Sequence, residues 1–205
     1  MPRTITVLSL VVVLLWCGVE WSQEPTRPRT GSTRSRPGSP GQADFGPFSL
    51  QPPKGWETVR PPGSMGMRKA QYILPAAEEG TERGQCIVYY FGAAGAGSVE
   101  QNLQRWRRQF LKPDGMSDAE HLTIHKKSID GLAVTLLEIH GTYLGSQMGQ
   151  GTAPPRKDRH MMITAVVETS GGPYYVKITA PEKTLEHWKK ACYKMIDDLK
   201  ARKKS

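Results

Sequence analysis

A β-hairpin signal stands out in the stretch HMMITAVVETSGGPYYVKITA at residues 160–180. Two apolar, strand-like runs flank the turn sequence SGGP, a pattern that is typical of a hairpin. The run GLAVTLLEIHGTYL likewise begins at a tight-turn pair, Asp130–Gly131. Strands joined by tight turns pair antiparallel, and strands that are apolar on both faces need cover on both faces. The sequence therefore predicts an α+β fold, a three-layer α/β/α sandwich around a mainly antiparallel sheet.

Two amphipathic segments supply the helices of this sandwich. The first extends from Val99 to about Leu111, and its apolar stripe consists of Val99, Leu103, Trp106 and Phe110. The second extends from about Thr184 to Arg202, and its buried face consists of Leu185, Trp188, Cys192, Met195, Ile196 and Leu199. The remaining strand-like runs are FSLQPPKGWETV, MRKAQYILP, QCIVYYFG and LTIHKKSI. The predicted order is three strands, a helix, four strands and a helix.

The first 22 residues are typical of a signal peptide or an N-terminal anchor. Arg3 precedes an apolar run from Ile5 to Val19, which as a helix would span about 22 Å, less than the ~30 Å core of a bilayer. A signal peptide fits this length better than a spanning helix. LLWC resembles a lipobox, so lipidation of Cys17 is an alternative, although the bulky Trp16 occupies the position of a small residue. We therefore expect an exported protein that is secreted, periplasmic or tethered to a membrane.

Residues 23–44 are rich in Pro, Arg, Gly, Ser and Thr and nearly lack apolar side chains. Such a segment buries too little surface to offset its ordering entropy, which predicts a disordered linker. Residues 45–205 are then predicted to form a single α+β domain. The formal net charge of the chain is +9, which favours an acidic protein or an anionic envelope surface as partner. Nucleic acid is not expected as a partner.

The cysteines give no motif for a metal or a redox centre. Cys86 and Cys192 lie inside apolar patterns, so we expect two buried thiols. A disulfide between them is the alternative for an exported protein.

The glycine-rich stretch FGAAGAGSVEQNLQRWRRQF has the outline of a phosphate-binding loop. A P-loop needs Lys directly after its second glycine, but Ser98 follows Gly97 here, and Glu100 occupies the third glycine position of a dinucleotide fingerprint. The same residues fit a helix start better, because Ser98 and Gln101 make an S-x-x-Q capping box. We therefore predict a structural crossover and no cofactor.

No catalytic constellation is evident, and the candidate binding residues lie beside this crossover. Asn102, Arg105, Arg107 and Arg108 form the polar part of the first helix, which is suited to dock an acidic partner. The alternative is that Arg105 is solvated and that Asn102 bonds to a neighbouring loop. His140 is a further candidate because it stands at the end of a strand, next to Gly141.

Several stretches carry a resemblance to known proteins: PKGW, MRKAQYILP, FGAAGAGSVEQNLQRW with RRQF, GTYLG and YYVKITAPEKT. Over residues 45–202 they look like a group of uncharacterised bacterial exported proteins. Those proteins in turn look like the fold shared by the photosystem II subunit PsbP and the Ran-binding protein Mog1. The resemblance implies an α/β/α sandwich around an antiparallel sheet and, in place of a reaction, the binding of partners.

Two functions remain after these steps. The first is a non-enzymatic binding or accessory domain of the cell envelope, tethered by the linker. The second is a small-molecule carrier or an enzyme with a pocket between the sheet and a helix. A buried polar pocket with converging titratable groups would favour the second function.

Overall fold

The computed structural model describes residues 40–60, 66–94, 97–145 and 156–202. The predicted leader with Cys17, and linker residues 23–39, lie outside these ranges. No helix within the ranges is long and apolar enough to cross a membrane. In chain order the elements are β1 (Ala43–Asp44), β2 (Phe48–Leu50), β3 (Glu57–Val59), β4 (Arg68–Leu74), β5 (Gly84–Tyr90), α1 (Val99–Arg107), β6 (Phe110–Leu111), α2 (Asp118–His121), β7 (Leu122–Ile129), β8 (Leu132–Tyr143), β9 (Lys157–Val167), β10 (Tyr174–Pro181), α3 (Glu182–Asp197) and β11 (Lys200–Ala201).

The main sheet has eight strands, and all of their pairings are antiparallel. Its order is β3-β4-β5-β10-β9-β8, and both β6 and β7 pair with β8. A small second sheet has the order β1-β2-β11. The SGGP hairpin joins β9 to β10, and β10 inserts between β9 and β5. The α+β class and the mainly antiparallel sheet predicted from the sequence are confirmed.

Side chains of alternate residues point to opposite faces of this sheet, and each face has its own apolar core. On β10, Tyr174, Val176 and Ile178 belong to the larger core under α3. Tyr175, between them, belongs to the smaller core under α1, together with Trp106 of that helix. The continuous apolar run of β10 is therefore explained by burial on both faces.

Helix α1 begins as the sequence predicts and ends earlier. Ser98 Oγ accepts from the backbone N–H of Gln101 at 3.2 Å, and Gln101 Oε1 accepts from the N–H of Ser98 at 2.9 Å, which completes the capping box. The helix ends at Arg107, although the stripe predicted it to about Leu111. Phe110 keeps its predicted burial, but it does so in β6, where it pairs with Tyr143 of β8.

The folded part also begins earlier than the sequence indicates. The composition of residues 23–44 predicts that residues 40–44 belong to the linker, but Ala43–Asp44 pair with β2. Gln51 Nε2 donates to the carbonyl of Pro40 at 2.9 Å, and Gln42 Nε2 donates to Ser49 Oγ at 2.7 Å. These hydrogen bonds attach a polar segment that has no apolar pattern of its own.

Gly141 of β8 lies where the strand passes β6. Its φ is +144°, and a Cβ there would lie 2.2 Å from the carbonyl oxygen of Leu111. Gly131 is the matched control, because its φ is +82° but no atom lies within 4 Å of its Cβ position. We expect Gly131→Ala to lower the free energy of unfolding by about 1 kcal/mol through backbone strain, and Gly141→Ala to lower it by about 3 kcal/mol. Urea unfolding measures both. Equal losses of unfolding free energy in the two variants would show that β6 moves aside and that the contact with the Leu111 carbonyl oxygen has no energetic cost.

Candidate functional site

A cavity of about 370 Å³ lies between α1 and the main sheet. We call it the α1 cavity. Its lining comes from β4, β5, α1, β8, β10 and the segments next to them, and consists of Met67, Arg68, Gln85, Ile87, Tyr89, Phe91, Asn102, Arg105, Trp106, Gln109, Tyr143, Tyr175, Lys177 and Thr179.

Simple periodicities place these residues together. Tyr175, Lys177 and Thr179 alternate along β10 and therefore share the α1 face, as do Gln85, Ile87 and Tyr89 on the neighbouring strand β5. Asn102, Arg105 and Trp106 follow the i, i+3, i+4 spacing of one helix face. The cavity thus forms where one side of α1 faces the strand pair β5–β10.

Aromatic rings form much of the wall. The rings of Tyr89 and Phe91 stack with centroids 5.8 Å apart, and Phe91 lies 5.7 Å from Tyr175. Trp106 meets Tyr175 edge-on at 5.9 Å. Such rings present flat apolar surfaces, which suit the planar body of an organic ligand.

The charged groups of the α1 cavity are all positive. Among the described lining residues, Arg68, Arg105 and Lys177 carry positive charge and none is Asp or Glu. Arg68 lies over the ring of Tyr89 at 5.9 Å from its centroid. Arg105 is exposed, so it lies at the rim, where its Nη1 donates to Asn102 Oδ1 at 3.1 Å.

Lys177 stands in the middle of an otherwise buried strand. Its Nζ donates to Gln109 Oε1 at 2.8 Å and lies 5.7 Å from the centroid of the Tyr143 ring. No described carboxylate is within ion-pair distance of this nitrogen. Desolvation lowers the pKa of Lys177 from 10.5 to about 8. The fold therefore holds a poorly compensated amine against the cavity.

Asn102 fixes the helix end of the cavity. Its side chain is buried, and its Nδ2 donates to the carbonyl of Ser98 at 2.9 Å and to the hydroxyl of Tyr175 at 3.3 Å. Its Oδ1 accepts from Arg105. Asn102 therefore bonds to its neighbouring loop, as one sequence alternative had it, and also links α1 to β10 and positions Arg105.

A second depression of about 230 Å³ adjoins the α1 cavity and shares Gln85, Tyr143 and Thr179 with it. It adds His160, Glu82 and Lys157. Burial lowers the pKa of His160, and Glu82 forms an ion pair with Lys157. This depression would give a longer ligand room to extend toward polar groups.

Arg107 and Arg108 do not line the α1 cavity. Both are exposed and border a shallow depression with Lys112, Asp118 and His121. Lys112 Nζ donates to the carboxylate of Asp118 at 2.6 Å. The helix residues singled out from the sequence are thus divided between a cavity and an open basic surface.

His140, the further candidate from the sequence, lies on the other face of the sheet from α1. Its Nε2 lies 2.9 Å from Glu138 Oε1, and its Nδ1 lies 3.0 Å from Glu182 Oε1. The hydrogen bond to Glu138, aided by the one to Glu182, raises the pKa of His140. Because both ring nitrogens face carboxylates, the imidazolium form fits this position.

Glu138 is the centre of this network. Besides His140, it accepts from Lys189 Nζ at 2.7 Å and from the hydroxyl of Tyr193 at 2.5 Å. Burial alone would raise the pKa of Glu138, but the hydrogen bonds from His140, Lys189 and Tyr193 outweigh burial and lower it to about 2. The network therefore holds an ionised carboxylate beneath α3.

Glu138, His140 and Glu186 each offer one ligand atom, and these atoms lie within 4.8 Å of one another. This is a geometry that a metal ion could use. Lys189 already bridges the two carboxylates, however, at 2.7 Å to Glu138 and 3.4 Å to Glu186. The ammonium group thus takes the place that a cation would need.

Cys86 and Cys192 are both buried, and both are free thiols. The disulfide that the sequence left open is not formed in this structure. Burial raises the pKa of both groups, so neither is an activated nucleophile.

Lys177, Gln109 and the tyrosines of the cavity are not among the candidate residues found from the sequence. One signal was available, because YYVKITA places a single lysine inside a strand that is apolar on both sides. A charge there must face either a partner or a cavity, since burying it alone is costly. Glu138 and His140 in LAVTLLEIHG gave the same signal.

No protein-family model matches this sequence, and no curated protein is significantly similar to it. The solved structures that are similar to this chain include the following three. PA94, a protein of unknown function from Pseudomonas aeruginosa, is 13% identical with a TM-score of 0.46, covering 80% of this chain and 98% of its own. The PsbP protein CyanoP of Synechocystis sp. PCC 6803 is 13% identical with a TM-score of 0.47, over 76% and 87% of the two chains. A Bacteroides thetaiotaomicron VPI-5482 protein is 14% identical with a TM-score of 0.40, over 77% and 46%. A PsbP-type structure is thus among those similar to this chain, and these likenesses give no cavity residue a role.

Proposed function

We propose that this protein is a binding domain that holds a small organic anion with a flat apolar body in the α1 cavity. The observation that carries this proposal is the lining itself, which combines three cations with aromatic walls and has no acidic residue in the described part. A volume of about 370 Å³ lies within the range of small-molecule sites, about 300–1,000 Å³.

The energetics of Lys177 support an anionic ligand. A desolvated ammonium group without a counter-ion is destabilising, and a carboxylate or phosphate of the ligand would offset this effect. Arg105 at the rim would meet the anion on entry, and Asn102 holds its guanidinium in place. The rings of Tyr89, Phe91 and Tyr175 would contact the planar body.

The α1 cavity favours the second of the two functions expected from the sequence, a small-molecule carrier or an enzyme with its pocket between sheet and helix. We also propose that the protein has an accessory role in the cell envelope. This second proposal concerns the location and the partners of the protein. The signal-peptide pattern of residues 1–22 supports export, and the exposed Arg107 and Arg108 would serve an acidic partner or an anionic surface. Cell fractionation, with the mass of the mature N-terminus, tests export independently of ligand binding.

The binding proposal is tested by calorimetry on the full chain with 2-naphthoate and its neutral counterpart 2-naphthamide. We expect naphthoate to bind about ten- to a hundredfold more tightly, because a charge-assisted hydrogen bond contributes about 1.5–3 kcal/mol. Lys177→Met and Arg105→Met should each remove most of this preference, whereas Arg108→Met, which changes a charge outside the cavity, should leave it unchanged. Equal affinities for the acid and the amide, or equal losses in all three variants, would contradict the proposal.

A further inference from the structure

We propose that Lys177 is a covalent attachment point, whose amine condenses with an aldehyde or ketone group of the bound anion to form an imine. The ligand class is then an oxo acid with an aromatic or apolar body. This inference rests on the proposed function, since it uses the same cavity and the same anion; Arg105 then holds the carboxylate, while Lys177 in its neutral form reacts with the carbonyl group.

The position of Lys177 suits a nucleophile. Its backbone lies in β10 between β5 and β9, where it pairs with Ile87 and Thr164, so the base of the side chain is held rigidly in the sheet. The side chain is half-buried and lines the α1 cavity, so a ligand in that cavity can reach its amine. The position thus combines a fixed base with access from the cavity.

The partner of the amine is neutral. Gln109 Oε1 accepts from Nζ at 2.8 Å, and an amide oxygen can accept from a neutral amine as well as from an ammonium group. Lys189 shows the opposite case in the same protein. Burial alone would lower the pKa of Lys189, but the hydrogen bond and the charge of Glu138, aided by Glu186, raise this pKa. Lys189 is therefore held as a cation.

Desolvation places a large share of Lys177 in the reactive form. With a pKa of about 8, roughly half of its amine is neutral at pH 8, whereas a lysine at 10.5 is less than about 1% neutral there. A lysine desolvated in an apolar pocket is an activated nucleophile toward carbonyl carbon. The aromatic walls supply that environment.

The proposed step balances without an oxidant or reductant. The nitrogen lone pair attacks the carbonyl carbon, the π electrons move to the carbonyl oxygen, and a proton passes from nitrogen to that oxygen. Loss of water then forms the C=N bond, so that amine and carbonyl give imine and water. Burial raises the pKa of Tyr143, whose ring centroid lies 5.7 Å from Nζ, so its phenol stays neutral and gives the amine no counter-charge.

The experiment uses the full chain with 4-formylbenzoate at pH 8, followed by borohydride reduction, which converts an imine into a stable secondary amine. Peptide mass analysis then locates the carboxybenzyl group. We expect Lys177 to be labelled about tenfold or more faster than any other lysine, because of its larger neutral fraction. Labelling at Lys177 should fall when naphthoate competes for the cavity.

Two variants sharpen this test. Lys177→Arg keeps a cation that can donate to Gln109 but cannot form an imine, so it should bind 4-(hydroxymethyl)benzoate within about threefold of the wild type and lose the fast label. Lys190→Arg changes an exposed lysine of α3 and should keep the fast label.

Failure of the two proposals can be told apart. If labelling is even over the surface lysines while naphthoate still binds in preference to its amide, the imine is overturned and the binding function stands. If Lys177 is labelled selectively but the acid and the amide bind equally, the amine is reactive and the anion-binding function is wrong. If neither selective labelling nor anion preference is found, both are wrong.

Discussion

Replacing Lys177 by methionine is expected to stabilise the protein by about 2 kcal/mol at pH 7. The pKa of this amine is lowered from 10.5 to about 8, and a shift of that size corresponds to about 3 kcal/mol lost when the charged side chain folds into place. Methionine avoids this loss and fills similar space, while Gln109 Oε1 loses a hydrogen bond of about 1 kcal/mol. For a domain of this size the melting temperature should rise by roughly 5 °C.

The pH dependence of the stability gained by Lys177→Met shows whether the desolvated amine is its cause. Folded Lys177 loses its proton near pH 8, whereas the unfolded chain keeps it until about 10.5. Between these values the unfolded state binds more protons, so wild-type stability rises with pH through this group. The advantage of Lys177→Met is therefore complete below pH 8 and disappears toward pH 10.5. Urea unfolding of both proteins at pH 7 and pH 10 measures this difference.

Lys189→Met is the matched control, because Lys189 is a lysine that is paired with the carboxylates of Glu138 and Glu186. It should destabilise the protein, since the buried Glu138 loses a charge partner. A variant that gains stability while losing its ligand is typical of a functional site, where stability is given up for binding. If Lys177→Met is less stable than the wild type at pH 7, Lys177 is a structural residue.

The parts of the fold that the sequence predicted depend on local signals. The SGGP hairpin, the Asp130–Gly131 turn and the Ser98–Gln101 capping box each specify a backbone geometry within a few residues. The missed elements β1, β6 and β11 are two-residue strands, too short to show a periodic pattern. The strands β6 and β11 pair with distant parts of the chain, such as Phe110 with Tyr143, whereas β1 pairs with the nearby β2. Helix α2 is different, because Ser117 and Glu120 form a capping box that could have been read from the sequence.

Only the helix residues of the α1 cavity could be predicted from the sequence, because they again depend on a local pattern. Asn102 and Arg105 lie on one helix and could be found from its polar face. Tyr89 and Lys177 come together only because β10 inserts next to β5, and this strand order follows from long-range pairing that no local pattern reveals. The partners of His140 were not predictable, because alternation tells which residues share a face with His140, but not which helix covers that face.

Glu138→Gln is expected to lower the free energy of unfolding by about 3 kcal/mol near pH 6. Glu138 is about nine-tenths buried and accepts hydrogen bonds from His140, Lys189 and Tyr193. Glutamine has nearly the same shape, but it leaves the two cationic groups facing a neutral amide. Removing one partner from a buried charge network typically destabilises a protein by about 3–5 kcal/mol, and Glu182, which still faces His140, places the value at the lower end.

The pKa shifts in this network predict the pH range in which the loss of stability is greatest. The pKa of Glu138 falls from 4.5 to about 2 on folding, so its contribution is complete above pH 4.5 and is lost as pH falls toward 2. The pKa of His140 is raised above 6.5, so its contribution is complete below pH 6.5 and is lost as pH rises through the raised value. The difference in the free energy of unfolding between wild type and Glu138→Gln should therefore peak between pH 4.5 and 6.5 in urea unfolding.

Glu186→Gln is the control, because it removes an exposed carboxylate that pairs with the same Lys189. It should lower stability by less than about 1 kcal/mol at any pH. Equal and pH-independent losses in the two variants would mean that the network beneath α3 contributes no more than a surface ion pair.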